Sequence, residues 1–189
     1  MIFNRHSDMM GKHAFLGASK YHWVNYDEDR LREAYDNWNA AQQGTIDHAF
    51  AAECIRRKQR LWKSKQTLSL FVNDAIGFGM TPEVLLWYSD NCFGTTDAIG
   101  FEEKPKILRI HDLKTGRNPA HMEQLLVYEA LFCLEYGFDP RDIQAELRIY
   151  QYNDYTNYIP DPEEDIMPVM KAAIRYDRLI EKWKKGDMS

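Results

Sequence analysis

At 189 residues the chain is long enough to bury a core unaided, and its three widely spaced cysteines, Cys54, Cys92 and Cys133, exclude a disulfide framework or a zinc knuckle. The formal net charge of −5 argues against a uniformly basic nucleic-acid binder, although local basic patches supply phosphate contacts whatever the sum. With no signal-peptide pattern and no apolar run near the ~20 residues of a membrane span, a soluble cytoplasmic protein without a membrane partner is expected.

Residues 1–12 read as a loose terminus, and His13 to Val24 as a short helix or turn. Leu31, Tyr35 and Trp38 carry helical spacing over Glu28 to Ala41. Gln43-Gly44-Thr45 then predicts a break and a second helix with Thr45 as N-cap. Asp47 in its first turn suits the helix dipole, and His48 lies beside it. The helix is expected to reach about Lys65, carrying Arg56, Arg57, Lys58, Arg60, Lys63 and Lys65, with no acidic residue from Cys54 to Asn73. At helical spacing Arg56, Arg60 and Lys63 share one face. That face is either solvated or a track for a DNA backbone.

Gln66 to Pro82 shows no clear period and predicts a loop, mobile over a cleft or simply covering it. Glu83 to Tyr88 reads as a buried strand. Thr95 to Phe101 and Ile107 to Lys114 are β-rich runs around the polar Glu102-Glu103-Lys104-Pro105-Lys106, which predicts a hairpin. After a turn at Thr115 to Pro119, with Pro119 in the first helical turn, an apolar helix from about Met122 ends before Gly137. Ala145 to Tyr152 alternates as the next strand, reached by a crossover. Tyr150, Tyr152, Tyr155 and Tyr158 are expected to pack on a sheet face rather than stack bases. Pro160 and Pro162 mark a break before a final amphipathic helix, Glu163 to Lys185.

If the hairpin turns between Lys104 and Pro105, residues whose numbers sum to 209 face each other, and Asp97 and Asp112 do so. Opposed Cβ atoms lie about 4.5–5.5 Å apart, so the two carboxylates repel unless something compensates them. A divalent cation between them supplies that compensation, and Lys114 points to the same face as Asp112. Two carboxylates, a cation and an ammonium suit phosphodiester hydrolysis. The bland alternative is an ordinary hairpin with a solvated ion cluster, because D-x-K is a common tripeptide.

Asp97 in GTTDAI, Asp112-Leu113-Lys114 in ILRIHDLKTG, and Gln124 with Tyr128 in EQLLVYEA together resemble the PD-(D/E)XK nuclease superfamily. Within it they are similar to the RecB-like exonuclease branch, which includes the lambda-type phage exonucleases. Gly44-Thr45-Ile46-Asp47-His48 has the G-T-x-x-H spelling of that branch's first motif, and Ser19 is a faint match to its N-terminal serine. The resemblance covers roughly residues 44 to 150. It implies an α/β domain with a small mixed sheet, a restriction-endonuclease-like core, flanked by helices. The expected single domain has its core at about 44–152, N-terminal helices at 13–43 and a C-terminal helix at about 162–185.

The resemblance also implies roles. Asp97, Asp112, His48 and the Leu113 carbonyl would hold Mg²⁺ or Mn²⁺, and Lys114 would be the catalytic lysine. Gln124 and Tyr128 would contact DNA or the metal shell, with the Tyr128 ring free to stack on a terminal base. Glu83 is either a further ligand or a solvent-facing residue at a strand entrance. Arg56, Arg60, Lys63 and Arg117 are the candidate DNA contacts. Three cysteines do not reproduce the four-cysteine iron–sulfur cluster of some relatives, so none is expected. The function implied is a metal-dependent DNA exonuclease of phage or prokaryotic recombination and repair, acting on DNA ends, with a recombinase or single-strand-binding partner and oligomerisation both compatible. Its rivals are a nuclease-fold module that binds without cleaving, and an endonuclease or nickase of the same fold.

Overall fold

Five runs rich in β-branched and aromatic residues pair into one mixed sheet in the order β1 (Thr81–Ser89), β2 (Cys92–Glu103), β3 (Lys106–Leu113), β4 (Gln144–Gln151) and β5 (Asp154–Tyr158). The structure, a computed structural model, describes residue 7 and residues 13–116 and 119–186. The helices are α1 (Glu28–Arg56), α2 (Thr67–Gly77), α3 (Glu123–Tyr136) and α4 (Met167–Lys184), the last entered through a short π-turn at Pro162–Ile166. The chain divides into a unit of residues 1–43 and one of residues 44–189. The sheet lies wholly in the second, where the core at 44–152 is expected. Among the described residues no helix is long and apolar enough to cross a membrane.

The central hairpin has the expected register. Ala98 pairs with His111, Ile99 with Ile110 and Glu103 with Lys106, each pair summing to 209. β3 and β4 run parallel with α3 as the crossover, while β1–β2 and β4–β5 are antiparallel. One sheet face carries Leu86, Ile99, Leu108, Ile110, Leu147 and Ile149 against Leu125, Leu131 and Phe132 of α3. The other carries Ala98, Leu113 and Tyr150 against Ala51, Cys54 and Ile55 of α1 and Phe71, Val72 and Ala75 of α2. Gly137, in the left-handed region, ends α3 as an αL cap.

In the first unit, Asp27 caps α1 through its Oδ1 acceptor to the Arg30 N–H at 2.8 Å. Phe15 packs on Tyr35 and Trp38 there, with ring centroids 5.3 and 5.7 Å apart. A 3₁₀ segment, Ala18–Asn25, holds Ser19, which is exposed.

Several expectations need correction. α1 runs unbroken through Gly44, so Thr45 is not at a helix start and His48 is mid-helix. A lone glycine costs a helix only about 1 kcal/mol, which a helix of 29 residues absorbs. α1 stops at Arg56 rather than Lys65, because Lys58 turns into the left-handed region at φ 54° and the Gln59 N–H bonds back to the Cys54 carbonyl at 2.8 Å. Only Arg56 of the three basic residues placed on one face is therefore helical. Gln66 to Pro82 is mostly α2, not a loop. β1 is an edge strand with much of its length exposed rather than a buried one. Pro119 precedes α3 by four residues and is not in its first turn. Of the four tyrosines only Tyr150 is buried; Tyr155 packs its ring on Tyr150 across the β4–β5 pair at 5.5 Å as expected, whereas Tyr152 and Tyr158 stand exposed.

Glu129 of α3 is 1% exposed, and its Oε2 accepts no hydrogen bond. Burial first, and the charge of Asp165 second, push its carboxyl up to about 8. The unfolded chain releases this proton near 4.5 whereas the folded chain keeps it to about 8, so stability falls as pH rises through that window. Glu129→Gln keeps the shape and removes the proton. It should raise the melting temperature at pH 8 by several degrees, each 1 kcal/mol being worth about 2–4 °C, and flatten the stability profile between pH 5 and 8. A melting temperature at pH 8 no higher than wild type would contradict a neutral buried Glu129.

Candidate active site

The site assembles where β2, β3, α1 and α3 meet, and it begins with the hairpin register. Asp97 and Asp112 stand one step beyond the paired Ala98 and His111. Asp97 is held from two sides. Its Oδ2 accepts the Leu113 N–H at 2.8 Å, and its Oδ1 lies 3.0 Å from Nδ1 of His48. Asp112 is 3% exposed and faces the Lys114 ammonium, whose Nζ is 3.2 Å from Oδ1 and 3.0 Å from Oδ2.

From Lys114 a chain of hydrogen bonds runs into α3. Lys114 Nζ donates to Gln124 Oε1 at 2.9 Å, Gln124 Nε2 donates to the Tyr128 hydroxyl at 3.0 Å, and that hydroxyl donates to the Thr95 carbonyl at 2.7 Å. Gln124 and Tyr128, four residues apart, share the helix face that this chain requires. Tyr128 is thus a brace between α3 and β2. A side chain at Gly94 would meet its ring at 2.9 Å, so the ring is packed in place and not free to stack on a terminal base.

The strand backbone is irregular at the same point. Gly94 and Ile99 both face α3 although their numbers differ by an odd step, so the alternation of β2 slips by one around Asp97. Across the ladder, Pro82 pairs with Ala98 and Val84 with Thr96, while Glu83 between them has a left-handed φ of 52°. Strained positions of this kind cluster at functional sites.

Electrostatics follow the crowding. Burial, reinforced by the charge of Asp97 and opposed by Lys114, pushes the Asp112 carboxyl up to about 6. The hydrogen bond to Asp97 raises His48 against the effect of burial. Burial raises the Tyr128 hydroxyl.

Among the described residues no three His, Cys, Asp or Glu side chains form a ready cation cluster, and Asp112 is engaged by Lys114. The donors nevertheless fit a hard cation. Asp112 Oδ2 is buried and, apart from the Lys114 ammonium 3.0 Å away, has no aligned hydrogen-bond donor, and two carboxylates with a neighbouring imidazole suit Mg²⁺ or Mn²⁺. Asp97, Asp112, His48 and the Leu113 carbonyl are the groups that would hold it.

Other candidates fall elsewhere. Glu83 is bound by the Arg56 guanidinium, which Glu53 also engages. Glu83 is therefore neither a free ligand nor simply solvated, and Arg56 is not a free DNA contact. Arg60 and Lys63 lie in the loop after α1, where Arg60 Nη1 reaches the Asn73 carbonyl at 3.4 Å. Arg117 lies outside the described residues. Sequence reasoning missed Gly94 and the Thr95 carbonyl, although a glycine inside a strand pattern is a known sign of close approach.

No family model, curated protein or solved structure matches the chain.

Adding Mg²⁺ or Mn²⁺ to the metal-free protein should raise its melting temperature, because the ion binds the folded carboxylate pair and not the unfolded chain. Asp97→Ala should abolish that shift. A shift that survives in Asp97→Ala would put the ion at some other place.

Proposed function

We propose that this chain is a metal-dependent deoxyribonuclease of the PD-(D/E)XK type, a RecB-like exonuclease that hydrolyses phosphodiester bonds at DNA ends. One observation carries the proposal. Four separate elements, α1, β2, β3 and α3, deliver His48, Asp97, Asp112, Lys114, Gln124 and Tyr128 to one set of contacts, joined through the Leu113 N–H. An accidental surface ion cluster does not account for a buried Asp112 braced through four further side chains and backbone groups.

When bound, Mg²⁺ or Mn²⁺ would supply Lewis-acid stabilisation of the negative charge that grows on the scissile phosphate. The protein residues do the rest. Asp97 and Asp112 set the field that draws a cation in, and His48 holds Asp97 Oδ1 in place. Lys114 orients the attacking water and offsets charge on the phosphate oxygens. Gln124 fixes the Lys114 ammonium, and Tyr128 fixes Gln124 against β2. The assignment to DNA ends, to the cytoplasm of a prokaryotic or phage-infected cell, and to recombination or repair rests on the motif resemblance.

A second reading, a nuclease-fold module that binds nucleic acid or a protein without cleaving, draws on the Lys114–Asp112 ion pair, which occupies a carboxylate that a cation needs. Asp112→Asn and Lys114→Ala separate the two. Each should lower divalent-dependent cleavage of linear DNA by several orders of magnitude with circular dichroism unchanged; cleavage near the wild-type rate in either would sink the nuclease reading. Covalently closed circles should survive conditions that degrade linear DNA of the same sequence. Rapid nicking of circles would instead favour the endonuclease alternative.

A further inference from the structure

The longest acid-free stretch of the chain, Cys54 to Asn73, crosses from the end of α1 to α2 and has at its middle the most exposed aromatic residue described. Trp62 is 90% exposed. Around it stand Lys58, Arg60, Lys63 and Lys65, none with a carboxylate partner among the described residues, whereas Arg56 and Arg57 are paired with glutamates. In a chain of net charge −5, this is a concentrated positive surface.

The loop is not a loose tether. The side-chain amide of Asn73 on α2 clamps the backbone of Leu61, accepting from its N–H at 2.9 Å and donating to its carbonyl at 3.1 Å. The Leu61 side chain packs on the core shared by α1 and α2. Lys58 in its left-handed turn sets the chain direction out of α1. Trp62 follows the clamped residue directly, so its ring is projected outward from a fixed backbone. A groove of about 360 Å³ lies beside it, lined by Arg60, Lys63, Ser64, Ser69, Asn73 and Asp74. Asp74 does not neutralise the groove, because its carboxylate accepts from Tyr150 and pairs with Arg148.

An exposed aromatic by itself needs no explanation. An exposed ring on an anchored backbone, between cations without carboxylate partners and beside a groove of mixed polar and apolar lining, has the parts of a single-strand platform: cations for phosphates and a flat face for a base. Duplex bases already stack on each other and leave nothing for the ring. We propose that Trp62, with Arg60, Lys63 and Lys65, binds a single-stranded segment of DNA away from the cleavage site, the ring stacking on one base. α1 rises about 1.5 Å per residue, so Arg56 at the foot of this loop lies roughly 12 Å along the helix from His48. The inference rests on the nuclease reading only in making that strand part of a substrate or product.

The test needs no cleavage. Binding of a fluorescent 15-mer of thymidine and of a blunt duplex is measured by anisotropy in chelator, for wild type, Trp62→Ala, Trp62→Phe and Lys63→Gln/Lys65→Gln. Trp62→Ala should weaken single-strand binding by roughly 5- to 160-fold, the span of one base stacked on one ring. Trp62→Phe should restore most of the loss, and duplex binding should change much less. The double glutamine variant should lower the salt slope by about 0.7 for each phosphate that is no longer neutralised. The exposed ring contributes little to folding, so melting temperatures should match. Wild-type affinity in Trp62→Ala, an equal loss on duplex, or no single-strand binding by wild type would each overturn the proposal. A catalytically silent protein that still gave the Trp62 result would sink the nuclease reading and leave this one intact.

Discussion

Two carboxylates held against one another by a hairpin register are the constraint on which the rest of this site depends. Asp97 and Asp112 stand one step beyond the last backbone pair, Ala98–His111, so the register of β2 and β3 brings them together. Their repulsion must be met by side chains, and it is. His48 and the Leu113 N–H hold Asp97, and Lys114 holds Asp112. Asp112 is the buried member of the set, and the part-exposed Lys114 ammonium is the charge that compensates it. The elements that carry the braces inherit the constraint. α1 has to pass Asp97, and α3 has to pass Lys114.

The hairpin was legible in the sequence because a polar pentapeptide with Pro105 near its middle leaves few choices of turn, and an antiparallel register then follows by counting. The crossover helix was legible from its apolar spacing and from Gly137 beyond its end. α2 was not, although Leu68, Phe71, Val72 and Ala75 stand at the spacing of one helix face and the last three are buried. Gly77, Phe78 and Gly79, at its end and just beyond, made the whole span look aperiodic. β5 was invisible for another reason: all five residues of Asp154–Tyr158 are exposed, so no alternation between core and solvent exists to be read. The face assigned to Arg56, Arg60 and Lys63 failed through its premise. It assumed a helix continuing past Arg56, where a lysine, not a glycine, takes the left-handed position that ends it.

Glu83 and Arg56 show how a functional label can go astray when each residue is read alone. Glu83 suits a ligand by type, and Arg56 suits a phosphate contact by type. In the fold they neutralise one another, beside the point where the ladder between β1 and β2 is irregular. Their pairing anchors the end of α1 to the edge strand β1. Tyr128 is a similar case. Its position four residues after Gln124 was legible, but its role depends on Gly94, which leaves room for the ring, and on the Thr95 carbonyl, which takes the hydroxyl proton. Neither group has a side chain to advertise it.

Net charge gives the wrong impression of this surface for a physical reason. An exposed charge is screened over about 8 Å at physiological ionic strength, so a ligand meets local clusters and not the sum. His48 beside Asp97 and Arg56 at the foot of the basic loop are roughly 12 Å apart along one helix, more than that screening length. Each cluster can therefore keep its own sign without cancelling the other. A polyanion drawn to the basic loop is not repelled by the distant carboxylates until it reaches them, and there Lys114 already offsets one of the two. The −5 of the whole chain and a local positive surface on one part of it are compatible for that reason. The segment of α1 from His48 to Arg56 sets the distance between the two clusters.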